Sequence, residues 1–200
     1  MTTAPEQERR LPRFFYPLLA FGVLALAGLV LAGVLVATSN SSRLTDKVGS
    51  QLLTYRAGHQ PLAATATLRR LGGGPDVSVG GAVGHPTVVN FWASWCTACQ
   101  QELAAVAAVA REHVVPFIGV DTNDTSASQA LALLHKVGAT YPVGEDNASL
   151  ALKYNAPGLP TTAFVNAKGR IVAVYLGAIT KTALNRFVHE LSRGEAISTK

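Results

Sequence analysis

Hydrophobic residues follow three rhythms along this chain, and each predicts a different kind of element. From Pro17 to Ala37 no charged residue interrupts a run dominated by Leu, Val, Ala and Gly, about the 20 residues needed to cross a bilayer core. The run predicts a transmembrane helix over 17–37. A cleaved signal peptide is the alternative, although its apolar stretch is ordinarily shorter, roughly 7–15 residues. Short runs of β-branched and aromatic residues predict buried strands at Val88–Trp92 and at Val114–Val120, the latter ending at Asp121. Helical spacing follows each of them. Leu103, Val106, Ala107 and Ala110 form an apolar stripe, as do Leu131, Leu134 and Val137, with Ser126 and Gln129 as a capping box and Gly138 as the stop.

The remaining elements are shorter. Ala66-Thr67-Leu68 and Val77-Ser78-Val79 flank a glycine-rich turn and predict a hairpin. Tyr141-Pro142-Val143 is an extended piece, and Asp146 or Asn147 caps a helix through Leu150 and Tyr154. Ala163–Val165 and Ile171–Tyr175 predict a second hairpin turning at Gly169. Thr180 caps a final helix whose apolar face is Leu184, Phe187, Val188 and Leu191, with Gly194 after it. The order strand, helix, strand, helix, hairpin, helix implies an α/β sandwich with a mixed central sheet. The expected organisation is a cytoplasmic tail over 1–16, the apolar span over 17–37, a Ser/Thr-rich linker over 38–61 and a folded domain over 62–200. Within the linker, Leu44, Val48, Leu52 and Leu53 could instead form a short helix.

Charge changes the picture once it is divided. The formal net charge is +5, but residues 1–60 hold six Lys/Arg against three Asp/Glu and the remainder eleven against nine, leaving +2 on the folded part. No basic patch for nucleic acid is implied. Arg9, Arg10 and Arg13 precede the apolar run and Arg43 and Lys47 follow it, which favours an internal N-terminus and an external domain. Cys96 and Cys99 are the only two cysteines, so there is no structural disulfide framework.

Those two cysteines fall where a strand gives way to a helix. Unpaired N–H groups and the positive end of the helix dipole favour a thiolate at Cys96, and Cys99 lies one turn on, close enough to displace it. The pair therefore reads as a dithiol/disulfide switch, Cys96 attacking and Cys99 resolving. Rival readings fit less well. Zinc needs further ligands, and the five histidines show no metal-binding spacing. A purely structural disulfide closing so short a loop removes little chain entropy. A peroxidatic cysteine would not need a partner at this spacing.

The stretch Asn90-Phe91-Trp92-Ala93-Ser94-Trp95-Cys96-x-x-Cys99-x-x-Glu102, with Gly158-Leu159-Pro160-Thr161-Thr162 further on, resembles the thioredoxin active site. It is closer still to that of the membrane-anchored TlpA/ResA/CcmG group of extracytoplasmic thiol-disulfide oxidoreductases. The likeness runs from about Ala66 to about Leu191. Thr97-Ala98 departs from the proline that most relatives carry before the second cysteine, and Ala104 from a helix-kinking proline. The resemblance implies a thioredoxin-like three-layer sandwich with an N-terminal β-hairpin and an inserted strand and helix. It also implies a cis proline at Pro160, with Leu159 backbone groups placed to pair with a substrate strand; an ordinary trans proline is the bland alternative. Glu102 shares a helix face with Cys99 and is implied as its proton carrier, although a glutamate in a first turn is commonly solvated. Trp95, Thr97 and Ala98 would form the docking surface around Cys96, while Trp92, Phe91 and Val89 belong to packing.

The expected function is exchange of protein disulfides outside the cytoplasmic membrane, in the reducing direction, with apocytochrome c among the substrates the resemblance suggests. Disulfide-forming oxidation is the close alternative. No organic cofactor and no metal are needed, because electrons would pass by thiol exchange with a membrane thiol partner. Two rivals of other classes are a copper or haem delivery protein binding through both thiolates and a module that binds partners without catalysis.

Overall fold

The coordinates are a computed structural model and describe residues 51–81, 84–112 and 115–198. The tail over 1–16 and the apolar span over 17–37 lie outside the described residues, as does the linker as far as residue 50. Among the described residues no helix is long and apolar enough to cross a membrane.

Among the described residues eight strands and four helices follow one another as β1 (Gln51–Thr54), β2 (Ala66–Leu68), β3 (Val77–Val79), β4 (Thr87–Trp92), α1 (Thr97–Glu112), β5 (Phe117–Thr122), α2 (Ala127–Val137), β6 (Val143–Asp146), α3 (Ser149–Lys153), β7 (Thr161–Val165), β8 (Ile171–Leu176) and α4 (Lys181–Ser192). Six strands form one sheet in the order β1-β8-β7-β4-β5-β6. Strands β4, β5 and β6 run parallel to one another, and β7, β8 and β1 add antiparallel pairs. The sheet is mixed, as expected, and β4 lies inside it with all six residues buried. A strand buried on both faces needs the near-continuous apolar run that its sequence supplies.

Alternation along β4 divides the core. Val88 packs with Val106, Phe164, Phe187, Val188 and Leu191 beneath α1 and α4. Val89 and Phe91 pack on the opposite face with Val77, Val79, Leu150, Tyr154 and Ile171, under α3 and the β2–β3 hairpin. Helix layers on both faces of one sheet make the expected three-layer sandwich.

Several local predictions hold in detail. Ser126 Oγ accepts the Gln129 N–H, and Gly138 ends α2 in the left-handed region at φ 63°. Thr180 Oγ1 caps α4 through the Ala183 N–H. At α3 the capping carboxylate is that of Asp146, which accepts the N–H groups of Leu150 and Ala151.

Three expectations need correction. The linker over 38–61 contains strand β1, whose residues pair antiparallel with β8 from Gln51↔Leu176 to Thr54↔Ala173. Residues 51–54 of the expected linker thus belong to the folded sheet; four residues flanked by polar chain carry too short a pattern to announce a strand, and it forms because the edge of β8 needs a partner. Strand β5 begins at Phe117, and Val115 and Pro116 precede it outside the strand, Pro116 having no N–H to give a ladder; Val114 lies outside the described residues. Of the expected α2 stripe, Leu134 is buried and Val137 packs beside it, but Leu131 is 39% exposed and Ala130 takes its place on the buried face.

The chain directly after β2, in the connection to β3, closes the other edge. Arg69 O accepts the Glu145 N–H and Leu71 N–H donates to Val143 O, each at 2.9 Å, so this segment covers β6. Gly144 permits the approach, since a Cβ there would lie 2.6 Å from Leu68 Cβ. Gly144→Ala is expected to cost about 1–3 kcal/mol by forcing the segment outwards. Denaturant melts read this directly, and superimposable wild-type and variant curves would refute the close fit.

Candidate active site

Strand β4 delivers the chain to the active-site turn. Its register with β5 runs to Trp92↔Asp121 and that with β7 to Phe91↔Thr161, so the turn from Ala93 to Cys96 emerges between the end of β5 and the start of β7. Helix α1 begins at Thr97, which puts Cys96 at its N-cap position. The sulfur does what a capping side chain does: Cys96 Sγ accepts the Cys99 N–H at 3.1 Å. Hydrogen bonds from Cys96 N–H to Ala93 O and from Gln100 Nε2 to Ser94 O brace the turn.

Cys96 and Cys99 are joined in a disulfide with Cα atoms 5.2 Å apart. Their access differs. Cys96 is 7% exposed and Cys99 fully buried, so an external sulfur or thiolate reaches Cys96 alone. When the bond opens, the Cys96 thiolate would keep the helix dipole and the Cys99 N–H as its stabilising partners, the arrangement that lowers a thiol pKa.

Glu102 lies behind the pair and is buried, not solvated, at 2% exposure. Its Oε1 accepts from Asn90 Nδ2 at 2.9 Å and its Oε2 from the Ile179 N–H at 2.8 Å. Burial pushes its pKa up to about 7, against the opposing pull of those two hydrogen bonds. Asn90 also donates to Thr162 Oγ1 at 3.1 Å, tying Glu102 to β7. The phenol of Tyr141 is pushed upwards first by burial and then by the nearby Glu102 charge. A buried carboxyl that titrates near neutrality, on the same helix face as a buried cysteine, can exchange a proton with it.

The Leu159–Pro160 peptide bond is cis. Pro160 immediately precedes β7 and its carbonyl accepts the Gly177 N–H, while Leu159 packs in the same apolar cluster as Cys96, Cys99, Trp92 and Leu103. Trp92 is core, as expected. Trp95 is 57% exposed and anchored by its Nε1–H to Asn123 O at 3.2 Å. With exposed Thr97 and half-buried Ala98 it forms a rim around Cys96. Ala98 and Leu159 thus share one apolar cluster with Cys96 and Cys99.

Sequence reasoning missed the acidic floor of the turn. Asp124 accepts hydrogen bonds from the Ser94 N–H and hydroxyl and from the Ser126 N–H, and Asp121 lies beneath it, 3% exposed. The sequence signal was only an Asp-x-x-Asp that begins in the last two residues of β5 and finishes in the loop after it, which reads equally well as a polar strand end. Among the described residues no three His, Cys, Asp or Glu side chains form a group able to hold a metal ion.

Comparison with known proteins agrees with this geometry. The AhpC/TSA family description matches residues 62–174. The chain is 31% identical to the thioredoxin-like protein YneN of Bacillus subtilis over 117 residues, 56% of this chain and 69% of that protein. It is 28% identical to the thiol:disulfide interchange protein HelX of Rhodobacter capsulatus over 184 residues, 90% of this chain and 98% of that one. Among solved structures, a DsbF homologue from Corynebacterium diphtheriae superposes with a TM-score of 0.63 at 23% identity, covering 72% of this chain and 94% of that chain; the fold is thioredoxin-like.

Proposed function

Because this chain belongs to the AhpC/TSA family, we propose that it is a thiol-disulfide oxidoreductase that reduces protein disulfides outside the cytoplasmic membrane. The observation that carries the reading is the unequal pair: an attackable Cys96 at a helix N-cap and a sealed Cys99 bonded to it. Reduced Cys96, as thiolate, attacks a substrate disulfide; one substrate sulfur leaves as a thiolate and takes up a proton, and a mixed disulfide forms. Cys99, deprotonated with Glu102 as the base, then attacks Cys96 Sγ, releasing the second substrate sulfur and closing the internal disulfide. Two electrons pass to the substrate, and a membrane thiol partner restores the dithiol. No organic cofactor or metal enters these steps.

The substrate backbone would lie along Leu159 with its apolar side chains on Trp95. The apolar run over 17–37 and its flanking arginines support a membrane anchor with the domain outside, and HelX, related over nearly its whole length, is named as an interchange protein. Apocytochrome c, whose haem-attachment motif is itself a C-x-x-C pair, fits the substrate class. Equilibration of the purified chain with glutathione buffers tests the direction. A potential near that of thioredoxin, about −270 mV, is expected; a value near about −120 mV, that of a strong oxidant, would reverse the proposal to disulfide formation.

A further inference from the structure

The acidic floor of the active-site turn takes no part in the exchange steps proposed above. Asp124 receives three donors, two of them from Ser94, two residues before Cys96, and the third from Ser126, the N-cap of α2. The next residue of the turn is tied to the same loop by the Trp95 Nε1–H···Asn123 O bond. Asp124 is thus the point at which the loop after β5 grips the segment that presents Cys96.

Asp121 lies directly under this grip. The two carboxyl groups line the same cavity, and neighbouring carboxyls hydrogen bond to each other only when one carries a proton. The donors decide which. Asp124 is served by three N–H and O–H groups, whereas Asp121 is buried and its Oδ1 has no hydrogen-bond partner, an environment that a neutral carboxylic acid tolerates far better than a carboxylate. The other charges facing Asp121 do not compensate it. Glu145 is its register partner on β6, Asp146 lines the same cavity, and Arg69, the one cation among the described residues that line it, is engaged by Glu145.

We propose that Asp121 and Asp124 form a proton-sharing pair that positions the Cys96 turn, Asp124 gripping Ser94 and protonated Asp121 holding Asp124 in place. The electrostatics agree. Burial, then the Asp124 charge and hydrogen bond, then Glu145, push Asp121 up to about 8. Burial also works against the Asp124 charge, but the Ser94 and Ser126 donors and Asp121 outweigh it and hold Asp124 below the usual carboxylate range. Loss of the Asp121 proton in mildly alkaline solution sets two carboxylates against each other beside Glu145. The bond between them becomes a repulsion, Asp124 moves off, and the grip on Ser94 loosens. Both are positioning residues; neither touches the reacting sulfurs.

The link to exchange rests on the function proposed above, so the test separates the two. In amide NMR of the wild-type protein the Ser94 N–H resonance is expected to titrate with a midpoint near pH 8, and an amide unmoved between pH 6 and 9.5 would overturn the pair whether or not the protein exchanges disulfides. The rate of attack by the reduced protein on hydroxyethyl disulfide, a neutral probe, should fall two- to fivefold around the same pH, superimposed on the rise from Cys96 ionisation. Asp121→Asn, which keeps a donor towards Asp124 and cannot ionise, should lose that fall, and Asp121→Ala should not recover the wild-type rate. A fall of equal size in Asp121→Asn would overturn the proposal. Failure of the wild type to attack the probe at any pH would instead refute the exchange reading, leaving the pair to be judged on the Ser94 titration.

Discussion

Replacing Cys99 with Ser should convert the protein into a trap for its own substrates. Cys96 retains its helix N-cap position and still attacks a partner disulfide, but no internal sulfur can displace the product, so mixed disulfides accumulate and catalytic reduction of a protein disulfide falls by at least about a hundredfold. The asymmetry of the pair makes this a sharp prediction. Cys99 is sealed and Cys96 is the sulfur open to solvent, so Cys96→Ser should lose turnover to the same extent while trapping nothing. Non-reducing gels with mass-spectrometric identification of the linked cysteine read both outcomes. Equal trapping by the two variants would mean that either sulfur can be reached, which the burial does not allow.

The second large effect is expected at Glu102. Glu102→Gln removes the group proposed to accept the Cys99 proton, and loss of a general base typically costs 10²–10⁴-fold. The damage should fall on resolution: attack by Cys96 persists while mixed disulfides live longer near pH 7. The same variant should change stability in a direction that distinguishes a buried titrating acid from a surface one. Because the folded-state pKa is raised from 4.5 to about 7, the native state binds the proton more tightly than the unfolded chain. Its stabilising contribution is complete below pH 4.5 and is lost as pH rises through 7, a decline on the order of 3 kcal/mol. Glu102→Gln cannot ionise and should remove that part of the decline, leaving the part due to Asp121. The amide has partners available, since its oxygen can accept from Ile179 N–H and, once the Asn90 amide flips, its NH2 can donate to Asn90 Oδ1, which is otherwise buried without a partner. Urea melts at pH 5 and pH 8 test this. A wild type equally stable at both, or a variant showing the full wild-type decline, would remove Glu102 from the role.

The chemistry was legible in the sequence because it resides in local spacing. Cys96 and Cys99 one turn apart, Glu102 three residues further on and Pro160 within Gly158–Thr162 are patterns that survive without coordinates, and all converge at one end of β4. The long strands and helices were legible for the same reason, since a buried strand such as Thr87–Trp92 and the stripe on α4 each repeat their signal over more than one period. What escaped depends on distant partners. Gln51–Thr54 is a strand only because β8 offers an edge. Asp121 and Asp124 gain meaning only when the loop after β5 comes under Ser94, about 30 residues away in sequence, as the bond between Asp124 and Ser94 shows. Tyr141 meets Glu102 only after β6 is laid beside β5.

Exchange by this pair requires Cys96 to be the ionised sulfur of the reduced protein. The most direct test is the pH dependence of alkylation of the reduced protein by iodoacetamide, with the modified cysteine assigned by mass spectrometry. Cys96 should react first and with an apparent pKa below the roughly 8.5 of an ordinary cysteine, while Cys99 stays protected until the protein unfolds. Labelling of Cys99 ahead of Cys96, or resistance of both up to pH 9, would contradict it.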